Sequence, residues 1–156
     1  MANVPYQPAG YHSVTPYLAV RDSVAAVDFY RRAFGAELVL KLTMPDGKYA
    51  HAEIKIGDCH LMMAEESAEW GNTSPQTLGG SPVSFMIYVP DVDAAFARAI
   101  AAGCTQVRPV EDQFYGDRTG TLKDPFGYQW SLGTHIEEVS EAEAQRRMEA
   151  MFGGQG

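Results

Sequence analysis

Four histidines carry the widest chemical range in this sequence: His12, His51, His60 and His135. A neutral imidazole accepts a proton near pH 7 and also binds divalent metal ions, so each can serve as base or ligand. His51 and His60 open and close the stretch HAEIKIGDCH, with Glu65 shortly after. Together with His135 they form an off-pattern set for a divalent metal such as Zn, Ni, Mn or Fe, at spacings that match no short ligand motif. His51 and His60 are the better candidates for a donor or general base in a cleft. His12 lies in the leader and ranks lower. The stretch FYGDRTGTLKDPFGYQWSLGTH adds Asp117 beside Arg118. The guanidinium can hold an anionic ligand through a fork of hydrogen bonds, although a hairpin-organising role explains the pair more simply. Asp124, Pro125 and Gly127 read as turn makers. Cys59 and Cys104 lack metal-motif spacing and read as isolated buried thiols. Ser84 and Ser131 have no activating base that the sequence can place beside them.

The elements that must position these groups repeat. VTPYLAV is a strand, Ser23 can cap the helix VAAVDFYRRAF, and ELVLKL, YAHAEIKI and CHLMMAE are three further strands. After a polar, turn-rich connector over 66–82 the order returns. VSFMIYV is a strand, Asp91 can cap VDAAFARAIAAG, and CTQVRPV, a strand near Gly120 and YQWSLG follow. We read one domain over 1–156, made of two βαβββ modules at about 14–65 and 83–135, with a C-terminal helix over 137–152. The connector can be a solvent-exposed link or a lid, with Trp70 as an anchor. The C-terminal helix places Ala144, Met148, Met151 and Phe152 on one side, to cover the domain or dock a partner.

Strand alternation then sorts the side chains. Leu18, Val20, Phe85, Ile87, Trp130, Leu132, Leu61 and Met63 face the helices. Thr15, Tyr17, His60, Met62, Ser84, Met86, Tyr88 and Ser131 share the opposite face. That second face is polar and aromatic, as a ligand pocket requires.

With 12 Lys and Arg against 20 Asp and Glu, the formal charge is -8. This disfavours nonspecific binding to nucleic acid or anionic lipid. No apolar run reaches the roughly 20 residues needed to cross a bilayer, and the start lacks a secretory signal, so the expected location is cytoplasmic.

The stretches TPYLAV, VDFYRRAFGAE, HAEIKIGDCHLMMAEE and FYGDRTGTLKDPFGYQWSLGTH together resemble the vicinal oxygen chelate superfamily. That superfamily includes glyoxalase I, bleomycin-resistance proteins and extradiol dioxygenases, and the resemblance is nearest to its PhnB-like group, from about Val14 to Val139. It implies an α+β fold whose paired βαβββ modules form a curved mixed sheet around a cleft, in a homodimer. Metal enzymes of the superfamily place ligands at strand positions that fall here on Thr15, Met62, Ser84 and Ser131. Hydroxyls and a thioether suit Zn, Ni or Fe poorly.

The expected function is therefore a metal-independent, small-molecule-binding protein that sequesters an aromatic or amphipathic compound in a dimer cleft. Its ligand contacts would be Thr15, Tyr17, Met62, Ser84, Met86, Tyr88, Ser131 and Arg118, with no cofactor. The alternatives are a glyoxalase-like lyase, isomerase or dioxygenase using the atypical set His51, His60, Glu65 and His135, or a protein-interaction module.

Overall fold

The structure, a computed structural model, describes residues 4–153. The first module runs β1 (Tyr17–Val20), α1 (Ser23–Phe34), β2 (Glu37–Thr43), β3 (Tyr49–Ile56) and β4 (Cys59–Glu65). A short helix α2 (Pro75–Leu78) lies in the connector. The second module runs β5 (Ser84–Tyr88), α3 (Val92–Ala102), β6 (Thr105–Asp112), β7 (Asp117–Lys123) and β8 (Gln129–His135), and α4 (Glu141–Phe152) ends the chain. The expected βαβββ order is thus present twice. No helix among the described residues is long and apolar enough to cross a membrane.

Each module pairs its own strands into a four-stranded mixed sheet, ordered β1-β4-β3-β2 in the first and β5-β8-β7-β6 in the second. The outer strand is parallel to its neighbour in both cases, because the helix between carries the chain back across the sheet. The expected single curved sheet is corrected to two separate open sheets. Edge strand β1 pairs only with β4, and the backbone of Ala19 on its free edge is satisfied by a side chain instead. The buried Tyr128 hydroxyl accepts from Ala19 N and donates to Ala19 O, both at 3.0 Å.

Residues up to Pro82 form one compact unit that also includes Pro125–Tyr128. The second compact unit takes Val83–Asp124 and the residues from Gln129 onward.

Burial follows the alternation of side chains. Leu18, Val20, Ile54 and Met63 are fully buried beneath α1, whose buried face carries Ala26, Val27, Phe29, Tyr30 and Ala33. Val24 of the same helix is partly exposed, while Phe29 packs against Phe126. Burying one such large side chain stabilises the fold by about 1.5–3 kcal/mol. The cap of α1 is Asp22, whose carboxylate accepts from Ala25 N at 2.9 Å. Ser23, one residue on, is buried and accepts from Tyr49 N at 2.9 Å.

In the second unit Trp130 and Leu132 are buried, with the Phe85 ring 4.7 Å from that of Trp130. Asp124 is more than a turn maker, because it accepts the buried indole N–H of Trp130 at 2.8 Å. Gly120 lets α3 approach β7: a Cβ there would lie 2.6 Å from Phe96 Cε2. Helix α4 buries no residue fully and is tied down by Arg147, which bonds Glu137, Glu143 and the Phe114 carbonyl. Met151 and Phe152 are exposed.

The connector is pinned by one carboxylate. Glu66 accepts from Ser74 N, the Thr77 hydroxyl and Arg21. These hydrogen bonds, from Ser74 first, hold its carboxyl down at about 2. Trp70 is exposed and anchors nothing by burial.

Candidate functional site

The open face of the first sheet is built by register. Tyr17 on β1 lies opposite Met62 on β4, and Met62 lies opposite Glu53 on β3. Leu40 and Leu42 of β2 sit opposite Glu53 and His51. Directly paired residues place their side chains on one face, so these six share a surface. A chain of polar contacts crosses it. The Tyr17 hydroxyl is 2.7 Å from His51 Nδ1, and His51 Nε2 is 3.0 Å from Glu53 Oε1. The Tyr11 hydroxyl donates to the other Glu53 oxygen, and the Tyr11 ring stacks on His60 at 4.0 Å. Partial burial raises the Tyr17 phenol above its usual pKa.

Thr15 precedes β1, and its hydroxyl bonds the His12 carbonyl at 3.3 Å. Glu65 is engaged elsewhere, by Ser23 N and by Lys48. His60 Nδ1 is bonded to the Gly10 carbonyl. The structure therefore gives His51, His60 and Glu65 separate partners, while His135 belongs to the second unit. A different trio comes together at the β3–β4 turn. Possible ligand atoms of His12, Asp58 and Cys59 all lie within 4.8 Å of one another, at exposed positions. His12 lies in the leader, far in sequence from the adjacent Asp58 and Cys59. Only the leader's return to the turn unites them. Cys59 is exposed, contrary to the expected burial, whereas Cys104 is buried; both are free thiols. Burial, with Asp124 adding to it, pushes the Cys104 thiol up to about 12.

The open face of the second sheet holds a cavity of about 360 Å³. Ser84 and Met86 of β5, Thr119 and Thr121 of β7 and Ser131 of β8 line it, with Arg108 and Glu111 of β6. Ser131 Oγ and Thr121 Oγ1 are 3.1 Å apart, hydroxyls on facing strands. Arg108 makes no ion pair among the described residues, so its guanidinium is available to a ligand. Of the sequence-derived contacts in this unit, Ser84, Met86 and Ser131 line the cavity.

Tyr88 and Arg118 have other partners. The Tyr88 hydroxyl donates to Asp117 Oδ2 and His135 Nδ1 meets Asp117 Oδ1, both at 2.7 Å. Burial acts to raise the Asp117 carboxyl, and the bonds from His135 and Tyr88 outweigh it, leaving it below its ordinary value. The same carboxylate raises His135 and Tyr88. Arg118 turns the other way and is held by Asp93 of α3 and Asp112 of β6 at 2.8 Å. Its fork is thus filled by the protein's own carboxylates.

The family model of the glyoxalase/bleomycin resistance protein/dioxygenase superfamily matches residues 10–132. The chain belongs to that superfamily. Its two modules are the repeated units of this small-molecule-binding fold. An uncharacterised protein of Mycobacterium bovis is 40% identical over 145 residues, covering 91% of this chain and 95% of its own. Among solved structures, TioX from Micromonospora sp. ML1 is similar with a TM-score of 0.64 at 28% identity, over 80% of this chain and 99% of TioX. A PhnB protein from Bacillus cereus shares the fold, with a TM-score of 0.61 at 18% identity, over 79% of this chain and 99% of its own.

The superfamily's metal positions fit a metal poorly here. Thr15 and Ser131 offer hydroxyls already bonded within their own modules, Ser84 a third hydroxyl and Met62 a thioether. The trio of imidazole, carboxylate and thiol is the donor set that suits a borderline-soft ion such as Zn.

Proposed function

We propose that this protein binds a small amphipathic molecule on the open face of its second sheet. The observation that carries this reading is the cavity of about 360 Å³ with its convergent donors. Ser84, Thr119, Thr121 and Ser131 supply hydroxyls, Met86 supplies apolar area, and Arg108 supplies a cation without a partner of its own. Ligand pockets combine apolar area with a few placed polar groups in this way. The Arg108 guanidinium in the lining, unpaired among the described residues, favours a ligand with a hydrogen-bond-accepting or anionic end over a purely cationic one. Pairing of two copies over this face, as in the dimer cleft the family resemblance implies, would enclose the ligand.

A metal-dependent reading is favoured by a separate observation. His12, Asp58 and Cys59 give a divalent ion three ligands of suitable type. Strict independence of metal is therefore the weaker half of the sequence expectation, and a metal-assisted lyase, isomerase or dioxygenase activity gains a concrete set of residues. Burial first, and then Asp58, raise the Cys59 thiol. Binding there must displace that proton and would strengthen with pH.

A probe titration tests the first reading and a dialysis the second. The fluorescent probe 1-anilinonaphthalene-8-sulfonate is titrated into wild type and into Ser131→Phe, which fills the cavity, each with EDTA or with one equivalent of Zn. We expect at least a tenfold loss of affinity in Ser131→Phe in both conditions. Equal affinity in the two proteins removes the cavity as the site. Retention of one Zn per chain after dialysis, lost in Cys59→Ser, supports the metal reading, and no retained Zn removes it.

A further inference from the structure

We propose that Tyr17, His51 and Glu53 form a proton-relay site that activates the Tyr17 hydroxyl as a nucleophile toward an electrophilic acyl or sulfonyl centre. This site is on the first sheet and does not depend on the cavity of the second.

The order of the groups carries the inference. Glu53 is a carboxylate whose two oxygens face two donors, the Tyr11 hydroxyl and His51 Nε2. A carboxylate accepts only, so Nε2 must carry the proton. In the neutral ring Nδ1 is then the acceptor, and the group 2.7 Å from it, the Tyr17 hydroxyl, must donate. Hydroxyl, base and orienting acid thus stand in the sequence that defines an activated nucleophile: a hydroxyl within reach of a base, and a base fixed by a third group.

Burial grades along the same line. The Glu53 and His51 side chains are 14% and 22% exposed, while Tyr17 is 55% exposed. The acid and base are sheltered, and the tyrosine that would react is the most exposed of the three. Leu40, Leu42 and Met62 border the relay by strand register, so the reagent it accommodates is an electrophile carried on an apolar group.

The second module shows what a different wiring does. There Tyr88 and His135 both bond the central carboxylate of Asp117. No imidazole nitrogen receives the Tyr88 proton, so that trio fixes its members without activating the hydroxyl.

The step balances without a co-reactant. The Tyr17 oxygen bonds to the electrophilic atom as its proton passes to His51 Nδ1, and the leaving group departs with the electron pair of the broken bond. Glu53 stabilises the imidazolium, which then returns the proton to the leaving group or to solvent. Burial raises the phenol above its ordinary value, so Tyr17 stays protonated and the proton must be taken by His51 within the step itself. The charged and titratable groups around His51 on this face are Tyr17, Glu53, Tyr11, His60 and Lys55, the last opposite His60 in register.

The test uses the intact chain and benzenesulfonyl fluoride, in which S–F cleavage accompanies formation of the Tyr17 O–S bond. Labelled positions are found by peptide mass mapping over time. We expect Tyr17 to be modified before the other tyrosines. The base is removed by His51→Asn, whose amide keeps a hydrogen bond to the hydroxyl, and labelling of Tyr17 should fall about 10²-fold or more. Glu53→Gln, which keeps the shape and loses the charge, should give a smaller loss. Circular dichroism and the unfolding midpoint report whether each variant is folded. In unmodified protein the labelling rate should not track ionisation of the phenol. Tyr17 labelling no faster than that of Tyr6 overturns the proposal. So does an unchanged rate in folded His51→Asn, or a wild-type rate that climbs steadily with phenol ionisation.

Discussion

Asp117 shows how much a single buried side chain can decide. It is only 6% exposed, yet it binds both Tyr88 and His135. Adjacent strand residues point to opposite faces, so Asp117 joins His135 directly across the hairpin, while Arg118 turns toward Asp93 on α3. The sequence presents Asp117 and Arg118 as a pair. It contains nothing that states the partnership of Arg118 with a residue 25 positions away. The hydrogen bond to Asp117, followed by the nearby Glu138, raises His135 above its ordinary value. An unfolded histidine titrates near 6.5, about as in model peptides. The stabilisation from a raised pKa is fully present below that value and is lost as pH rises through the folded one. We therefore predict that His135→Gln lowers the urea midpoint most at pH 5.5, and that its difference from wild type shrinks toward pH 9. A difference constant across that range would show that the charge of His135 contributes nothing.

At the level of elements, alternation made the buried and open faces of β1, β4, β5 and β8 legible, because period two in a half-buried strand leaves few choices. What alternation omits is register between strands. Tyr17 and His51 are 34 residues apart, and they meet only because β4 lies between β1 and β3. The leader was illegible for the same reason, since Tyr11 and His12 reach β3 and the β3–β4 turn by folding back. Nor does any local pattern show that Tyr128 closes the edge of β1. Removing its hydroxyl in Tyr128→Phe leaves the Ala19 N–H and carbonyl without that partner in a buried place. An unsatisfied buried polar group costs about 1–3 kcal/mol. We predict a loss of that size in equilibrium urea unfolding, with little change in the secondary-structure spectrum. A loss below about 0.5 kcal/mol would mean that water replaces the hydroxyl.

For the whole molecule, charge and pairing act at different pH. The formal charge of -8 falls to zero near the isoelectric point of about 4.9. Glu66 and Glu143 are held at about 2, Glu66 chiefly by Ser74 and Glu143 chiefly by Arg146. A depressed carboxyl stabilises above its unfolded pKa and is lost only as pH falls through the folded value. At pH 4.9 both remain paired while mutual repulsion between molecules is weakest. We predict a turbidity maximum near that pH formed by folded protein. It should redissolve at pH 7 with its native circular dichroism intact, and recovery of unfolded aggregate would contradict this.

The division into compact units has a consequence for how the chain is made. The first unit needs Pro125–Tyr128, residues that emerge long after its four strands and α1. Domains complete during synthesis tend to fold from the N-terminus as each becomes available. Here a nascent chain carrying all of β1–β4 still lacks Phe126 against Phe29 and Tyr128 on β1. The packing of the first unit can therefore be completed only after most of the second has been translated.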